Sequence, residues 1–150
     1  MKSPTLVNQR CSIARSLVVL GEKWTLLVVR DVRLGHTRFS DIRSRLGVAP
    51  DVLADRLGKL VDLGVLERRT YREGGARERE EYVLTPAGED LAPVLAGLHQ
   101  WGTRHLPTDL SPASRYVEAA TGRPLHVAFV DDDGRSVDIA AVAVLPSEAG

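Results

Sequence analysis

Val52, Asp55, Arg56 and Lys59 stand at i, i+3, i+4 and i+7, so on a helix they share one side, with Asp51 one turn before Asp55. Together these residue types carry the chemistry of reading base edges in DNA. A guanidinium pairs in bidentate fashion with guanine O6 and N7, a contact worth roughly 1–3 kcal/mol of discrimination. A carboxylate such as Asp51 or Asp55 accepts from cytosine N4, and Val52 can touch a thymine methyl. The competing reading of Arg56 is a surface salt bridge with Asp55 or Asp62. Downstream, Arg77 and Arg79 follow Gly74 and Gly75 in a charged loop. Arginines so placed can enter a narrow minor groove and read its shape, or be balanced in solvent by Glu73, Glu78 and Glu80. Upstream, Thr37, Arg38 and Ser40 surround a predicted helix start, where free backbone amides and the helix dipole favour a phosphate.

Cys11 is the single cysteine, so an internal disulfide and a multi-cysteine zinc site are excluded. It stands at a predicted helix start between Arg10 and Arg15, a setting that makes a thiol more reactive and marks Cys11 as a candidate redox sensor. The alternative is a small buried apolar residue. His36, His99, His105 and His126 show no metal-ligand spacing, and Asp131-Asp132-Asp133 before Gly134 reads as a turn rather than a calcium loop. Neither a glycine-rich phosphate loop nor a nucleophile–base pair is present, so no catalytic residue, cofactor or metal is expected.

These groups need elements to hold them. Ile13, Leu17 and Leu20 predict a helix from Cys11 to Leu20, stopped by Gly21. Trp24, Leu27 and Val28 predict a second from Glu22 to Arg33, and Thr37 is the expected N-cap of a short third one carrying Phe39, Ile42 and Leu46. After the turn 46–49, Pro50 opens a fourth helix to Leu63, with Leu53, Leu57 and Leu60 turned inward. Two short helices joined by so tight a turn form a helix-turn-helix. A strand at 65–71, the charged loop 72–79 and a returning strand at 80–84 make a hairpin directly behind it, the position of a wing. Thr85 and Pro86 then cap and open a helix to about His105, with a kink or break at Pro93. Beyond Pro107 a short helix near 113–120 is allowed, and 125–130 with 137–144 read as two strands around Asp133-Gly134.

The fold class is therefore α+β and mostly helical: a winged helix-turn-helix domain over residues 10–106 with a small C-terminal β-hairpin extension over 107–150. The formal net charge is zero. Residues 1–85, however, hold 16 Lys/Arg against 11 Asp/Glu, and residues 86–150 hold 4 against 9. A basic half suits a polyanion, and equally suits an uneven solvated surface. No apolar run reaches membrane-spanning length, and the amino terminus lacks the order of a secretory leader, so the expected setting is the cytoplasm.

Cys11-Ser12-Ile13-Ala14, Leu20-Gly21-Glu22-Lys23-Trp24-Thr25-Leu26-Leu27 and Arg38-Phe39-Ser40-Asp41-Ile42 begin a series of short motifs. Leu53-Ala54-Asp55-Arg56-Leu57, Gly64-Val65-Leu66-Glu67-Arg68, Glu81-Tyr82-Val83-Leu84-Thr85-Pro86-Ala87-Gly88 and Trp101-Gly102 continue it. In this order and spacing the chain resembles the HxlR-type winged helix-turn-helix regulators of bacteria over about residues 10–105. The resemblance implies a homodimer whose first and last domain helices pack across a two-fold axis, here through Ile13, Leu17, Leu95, Leu98 and Trp101. It also implies an imperfect palindromic operator of double-stranded DNA, repression or activation of a neighbouring gene, with repression the expected direction here, and no catalysis. Some relatives sense oxidants or electrophiles through a cysteine in the region of Cys11. Many carry a hydroxyl where this chain has Ala54, which removes one hydrogen bond to DNA. A small hydrophobic effector between dimer helices is a further expected partner. The rival expectation is a protein-interaction module without specific DNA binding, favoured by Ala54, Asp51 and Asp55.

Overall fold

The computed structural model describes residues 10–75 and 77–146, and the chain forms two compact units that divide between Ala92 and Pro93. In the first unit α1 (Ser12–Leu20) and α2 (Thr25–Arg33) are followed by α3 (Phe39–Leu46) and α4 (Pro50–Asp62). A hairpin of β1 (Leu66–Tyr71) and β2 (Arg79–Leu84) and the short α5 (Pro86–Glu89) complete it. The strands pair antiparallel from Leu66 opposite Leu84 to Tyr71 opposite Arg79. This is a mostly helical winged helix-turn-helix with a hairpin wing.

Helical periodicity decides which residues make the core. Val28 and Val29 of α2, Ile42 of α3, and Leu53, Leu57 and Leu60 of α4 are wholly buried, and Leu66 and Tyr82 bring the wing onto them. Each fully buried aliphatic side chain contributes about 1.5–3 kcal/mol. The packing of α2 against α3 is also held by charge. Asp31 of α2 is wholly buried, takes hydrogen bonds from Arg30 Nε and Nη2 at 2.9 and 2.7 Å, and takes one from Arg45 Nε of α3 at 3.2 Å. A buried carboxylate is tolerated only when paired in this way. The turn itself needs a residue at Gly47 with φ +64, whose amide closes α3 on the Arg43 carbonyl at 2.9 Å.

Three local expectations change. The second helix starts at Thr25, not Glu22, because residues 21–24 form a turn that ends on Trp24 at φ +82, a left-handed backbone that breaks the helical run. Thr37 does not cap α3. Arg38 holds that position, because Thr37 is taken by the wing: its carbonyl accepts from Tyr82 N at 2.8 Å and its hydroxyl donates to Glu81 Oε2 at 3.0 Å. Arg79 begins β2 and so leaves the loop. Thr85 caps α5 as expected, accepting from Gly88 N at 3.2 Å. The break foreseen near Pro93 falls at Asp90 and Leu91, and Pro93 sits in the first turn of the next helix, where its missing N–H costs nothing.

The second unit holds α6 (Ala92–His105), a two-residue pairing of β3 (Phe129–Val130) with β4 (Ser136–Val137), and a 3-10 turn at Ile139–Ala141. No helix forms at 113–120. That stretch instead runs into a tight loop with a bridge between Val117 and Pro124. The expected strands shrink to β3 and β4 because Asp131 organises the turn so tightly: its carboxylate Oδ1 accepts from Asp133 N at 3.0 Å and Arg135 N at 2.9 Å. The same contacts explain the acidic run as a turn. No described helix is long and apolar enough to cross a membrane.

Candidate nucleic-acid interface

Burying Leu53, Leu57 and Leu60 turns the opposite side of α4 to solvent, and with it Asp51, Ala54, Asp55 and Lys59, with Val52 and Arg56 half-buried at the edge. Sequence spacing had placed these residues together, and α4 does so. What spacing did not show is that Glu22, from the turn before α2, joins them. Arg56 reaches Glu22 Oε2 at 2.5 Å and donates from Nε to the Lys23 carbonyl at 3.2 Å, and it also pairs with Asp55. Lys59 reaches Glu22 Oε1 at 3.0 Å and Asp55 Oδ2 at 3.1 Å. Two cations and two carboxylates thus form a closed, locally neutral cluster on the exposed side of α4. Hydrogen bonding to Glu22, then to Asp55, raises the Lys59 pKa, and hydrogen bonding to Lys59 lowers that of Asp55. Water screens the partners of these pairs, so a phosphate or a guanine can compete for the cations.

The other residues predicted from the sequence to hold phosphate lie at the start of α3. Ser40 is exposed at the start of α3. Arg38 stacks over the Tyr71 ring at 4.8 Å and pairs with Glu73 of the wing loop, whose hydrogen bond raises the guanidinium pKa. Thr37 is committed to Glu81 and Tyr82. Of the three predicted phosphate ligands, two therefore spend their side chains tying α3 to the wing. Sequence reasoning missed Arg43, which lines a cleft of about 500 Å³ with Phe39, Ser40, Ser44, Gly47 and Val48 along the helix-turn-helix bend. Its position one turn after Ser40 on the exposed side of α3 was the available clue.

The wing differs from α4 in its charge. Arg72 faces Glu78 at 3.6 Å and Glu73 holds Arg38, whereas Arg77 and Arg79 are exposed and form no ion pair among the described residues. Cys11 is exposed and stands as the N-cap of α1 without a side-chain cap bond, so burial does not shield its thiol within this chain. Ile13 and Leu17 expose an apolar face on α1. In the second unit Leu98 and Trp101 are exposed on α6, while Leu95 is buried. Among the described residues, no group of three or more His, Cys, Asp or Glu could hold a metal ion.

Known proteins resemble this chain in sequence and fold. Residues 19–110, more than half the chain, match the HxlR-like helix-turn-helix family. An HTH-type transcriptional regulator of Mycobacterium tuberculosis is 41% identical over 101 residues, 67% of this chain and 63% of that protein, so the chain spans under two-thirds of its relative's length. The crystal structure of PA1607, described as a transcription factor, superposes with a TM-score of 0.77 at 33% identity, covering 92% of this chain and 96% of that one. The reduced form of the transcriptional regulator YodB from Bacillus subtilis aligns over 65% of this chain and 95% of its own, with a TM-score of 0.55 at 25% identity. With this family matched over residues 19–110, the chain belongs to the HxlR-like helix-turn-helix family of transcription regulators.

Proposed function

We propose that this protein is a sequence-specific DNA-binding regulator that represses a gene by occupying a palindromic operator as a homodimer. The observation that carries the reading is α4: a helix packed by Leu53, Leu57 and Leu60 that carries Asp55 and Lys59 on its exposed side, with Val52 and Arg56 half-buried at the edge. In the major groove Arg56 exchanges Glu22 and Asp55 for guanine O6 and N7, and Lys59 exchanges the same carboxylates for a phosphate. Asp51 and Asp55 disfavour wrong bases more than they attract right ones, since acids on this face repel phosphate. Arg77 and Arg79 reach the adjacent minor groove, and Ser40 with Arg43 holds backbone phosphate at the bend. Residues 10–106 serve as the DNA-binding and dimerisation domain and 107–150 as its extension. The exposed apolar faces of α1 and α6 contact the second copy, which sets two recognition helices about 34 Å apart or somewhat wider. The exposed Cys11 gives an oxidant or an electrophile a point of attack: an electrophile forms an adduct on its sulfur, whereas an oxidant takes two electrons and two protons from the Cys11 thiols of two subunits and leaves a disulfide between them.

The neutral cluster Glu22–Arg56–Asp55–Lys59 favours a second reading, a winged-helix protein-interaction module without specific DNA binding. A gel-shift titration at two salt concentrations separates them. It uses the DNA upstream of the protein's own gene, with Arg56→Ala and an Arg77→Gln/Arg79→Gln variant alongside. The regulator gives saturable binding that survives competitor DNA and falls about tenfold or more in Arg56→Ala. The wing variant loses affinity evenly across sequences and shows a shallower salt slope. Binding no tighter than to random DNA at every candidate operator sinks the reading.

A further inference from the structure

A cavity of about 500 Å³ lies wholly within the second unit, between α6 and the chain from Pro112 to Val127. Its size falls within the roughly 300–1,000 Å³ of small-molecule sites. The covering segment is tied down on α6 at one residue. Val127 N donates to Gln100 Oε1 at 3.1 Å, and Gln100 Nε2 donates to the Val127 carbonyl at 3.4 Å. The segment also closes on itself: Leu125 N donates to the Tyr116 carbonyl and Glu118 N to the Arg123 carbonyl, both at 2.9 Å. The Tyr116 ring lies tilted against His99 of α6 at 5.5 Å between centroids. These contacts hold one side of an open cleft, on which Val117, Leu125 and Val127 are exposed.

The chemistry of the lining is asymmetric. Ala96, Val117, Pro124, Leu125 and Val127 supply apolar surface, while Arg104, Arg115, His99 and His126 supply nitrogen. No carboxylate lines the cavity, although residues 86–150 as a whole carry 9 Asp/Glu against 4 Lys/Arg. Among the described residues Arg104 and Arg115 have no ion-pair partner. The contrast with α4 is direct, since there both cations are matched by Glu22 and Asp55. Two unmatched guanidiniums beside an apolar wall suit a molecule with a flat hydrophobic body and one carboxylate, which an arginine fork grips in bidentate fashion.

We propose that this cavity binds a small amphipathic organic anion of the aromatic-carboxylate class. The proposal does not rest on DNA binding, and its test contains no DNA. Full-length protein is titrated calorimetrically with 2-naphthoate, and with 2-naphthamide as the neutral match in shape. The variants are Arg104→Gln, Arg115→Gln, and Leu125→Trp, which fills the cavity from its apolar wall without touching charge; circular dichroism checks that each is folded. The site gives saturable binding of one 2-naphthoate per chain, about tenfold weaker binding of the amide, a loss of about tenfold in the arginine variants, and none detectable in Leu125→Trp. Absence of saturation at millimolar 2-naphthoate overturns the proposal. So does equal binding of acid and amide that all three variants leave unchanged, which would mean attachment to exposed apolar surface elsewhere.

Discussion

The two units spend their apolar residues in opposite ways. The first places Val28, Val29, Ile42, Leu53, Leu57, Leu60 and Leu66 at 0–1% exposure, so its helices are held by a core that it closes by itself. The second buries only Leu95 among its described large hydrophobics, and leaves Ile139 at 79%, Leu145 at 82% and Val144 at 93% exposed. The difference teaches where each unit gets its order. The first is specified by packing, whereas the second is specified by turns and short hydrogen-bonded loops around Asp131, Gln100 and Glu118. Local hydrogen bonds order a chain without committing its apolar surface, and surface left uncommitted is free for an occupant.

The largest effect expected from this comparison is a paired one. Leu57→Ala in the first unit costs about 2–5 kcal/mol of unfolding free energy, as cavity-forming core truncations do. Ile139→Ala in the second changes it by no more than about 0.5 kcal/mol. Urea titration of both variants measures this, and comparable losses would erase the distinction between the units. Gly88→Ala comes next. A Cβ there would stand 2.3 Å from the Val65 carbonyl oxygen and 2.9 Å from Leu84 Cδ2, so the junction of wing and α5 must shift, at about 1–3 kcal/mol. An unchanged urea midpoint would show that α5 moves away freely. The smallest effect concerns charge. Glu22→Gln removes a carboxylate from Arg56 and Lys59 and tightens binding to random-sequence DNA about threefold at low salt, with the gain fading as salt rises. Fluorescence anisotropy reads it, and weaker binding would mean that Glu22 orients Arg56 for DNA rather than withholding it.

Much of this was legible in the residues. The leucines at 53, 57 and 60 marked the inward side of α4, and Gly47 with Pro50 marked the bend before it. Thr85-Pro86 marked the start of α5. All are local patterns, in which neighbours three or four apart meet whatever the rest of the chain does. The misreadings had distant causes. Thr37 looks like a cap until Glu81 and Tyr82, 44 and 45 positions on, claim it. Residues 125–130 and 137–144 alternate like strands, but pairing ended where the Asp131 turn and the turn at Asp138 set the backbone direction.

The sequence by itself determined the order of elements in the first unit, the core side of α4 and the family, because periodicity, caps and turn residues act within a few positions. Only the tertiary structure decided that Glu22 neutralises the cations on the exposed side of α4 and that Asp31 ties α2 to α3. It alone decided that Arg104 and Arg115 share a cavity without an acid. Those are juxtapositions of charges far apart in the chain, and Coulomb interaction depends on distance in space, which no sequence interval encodes.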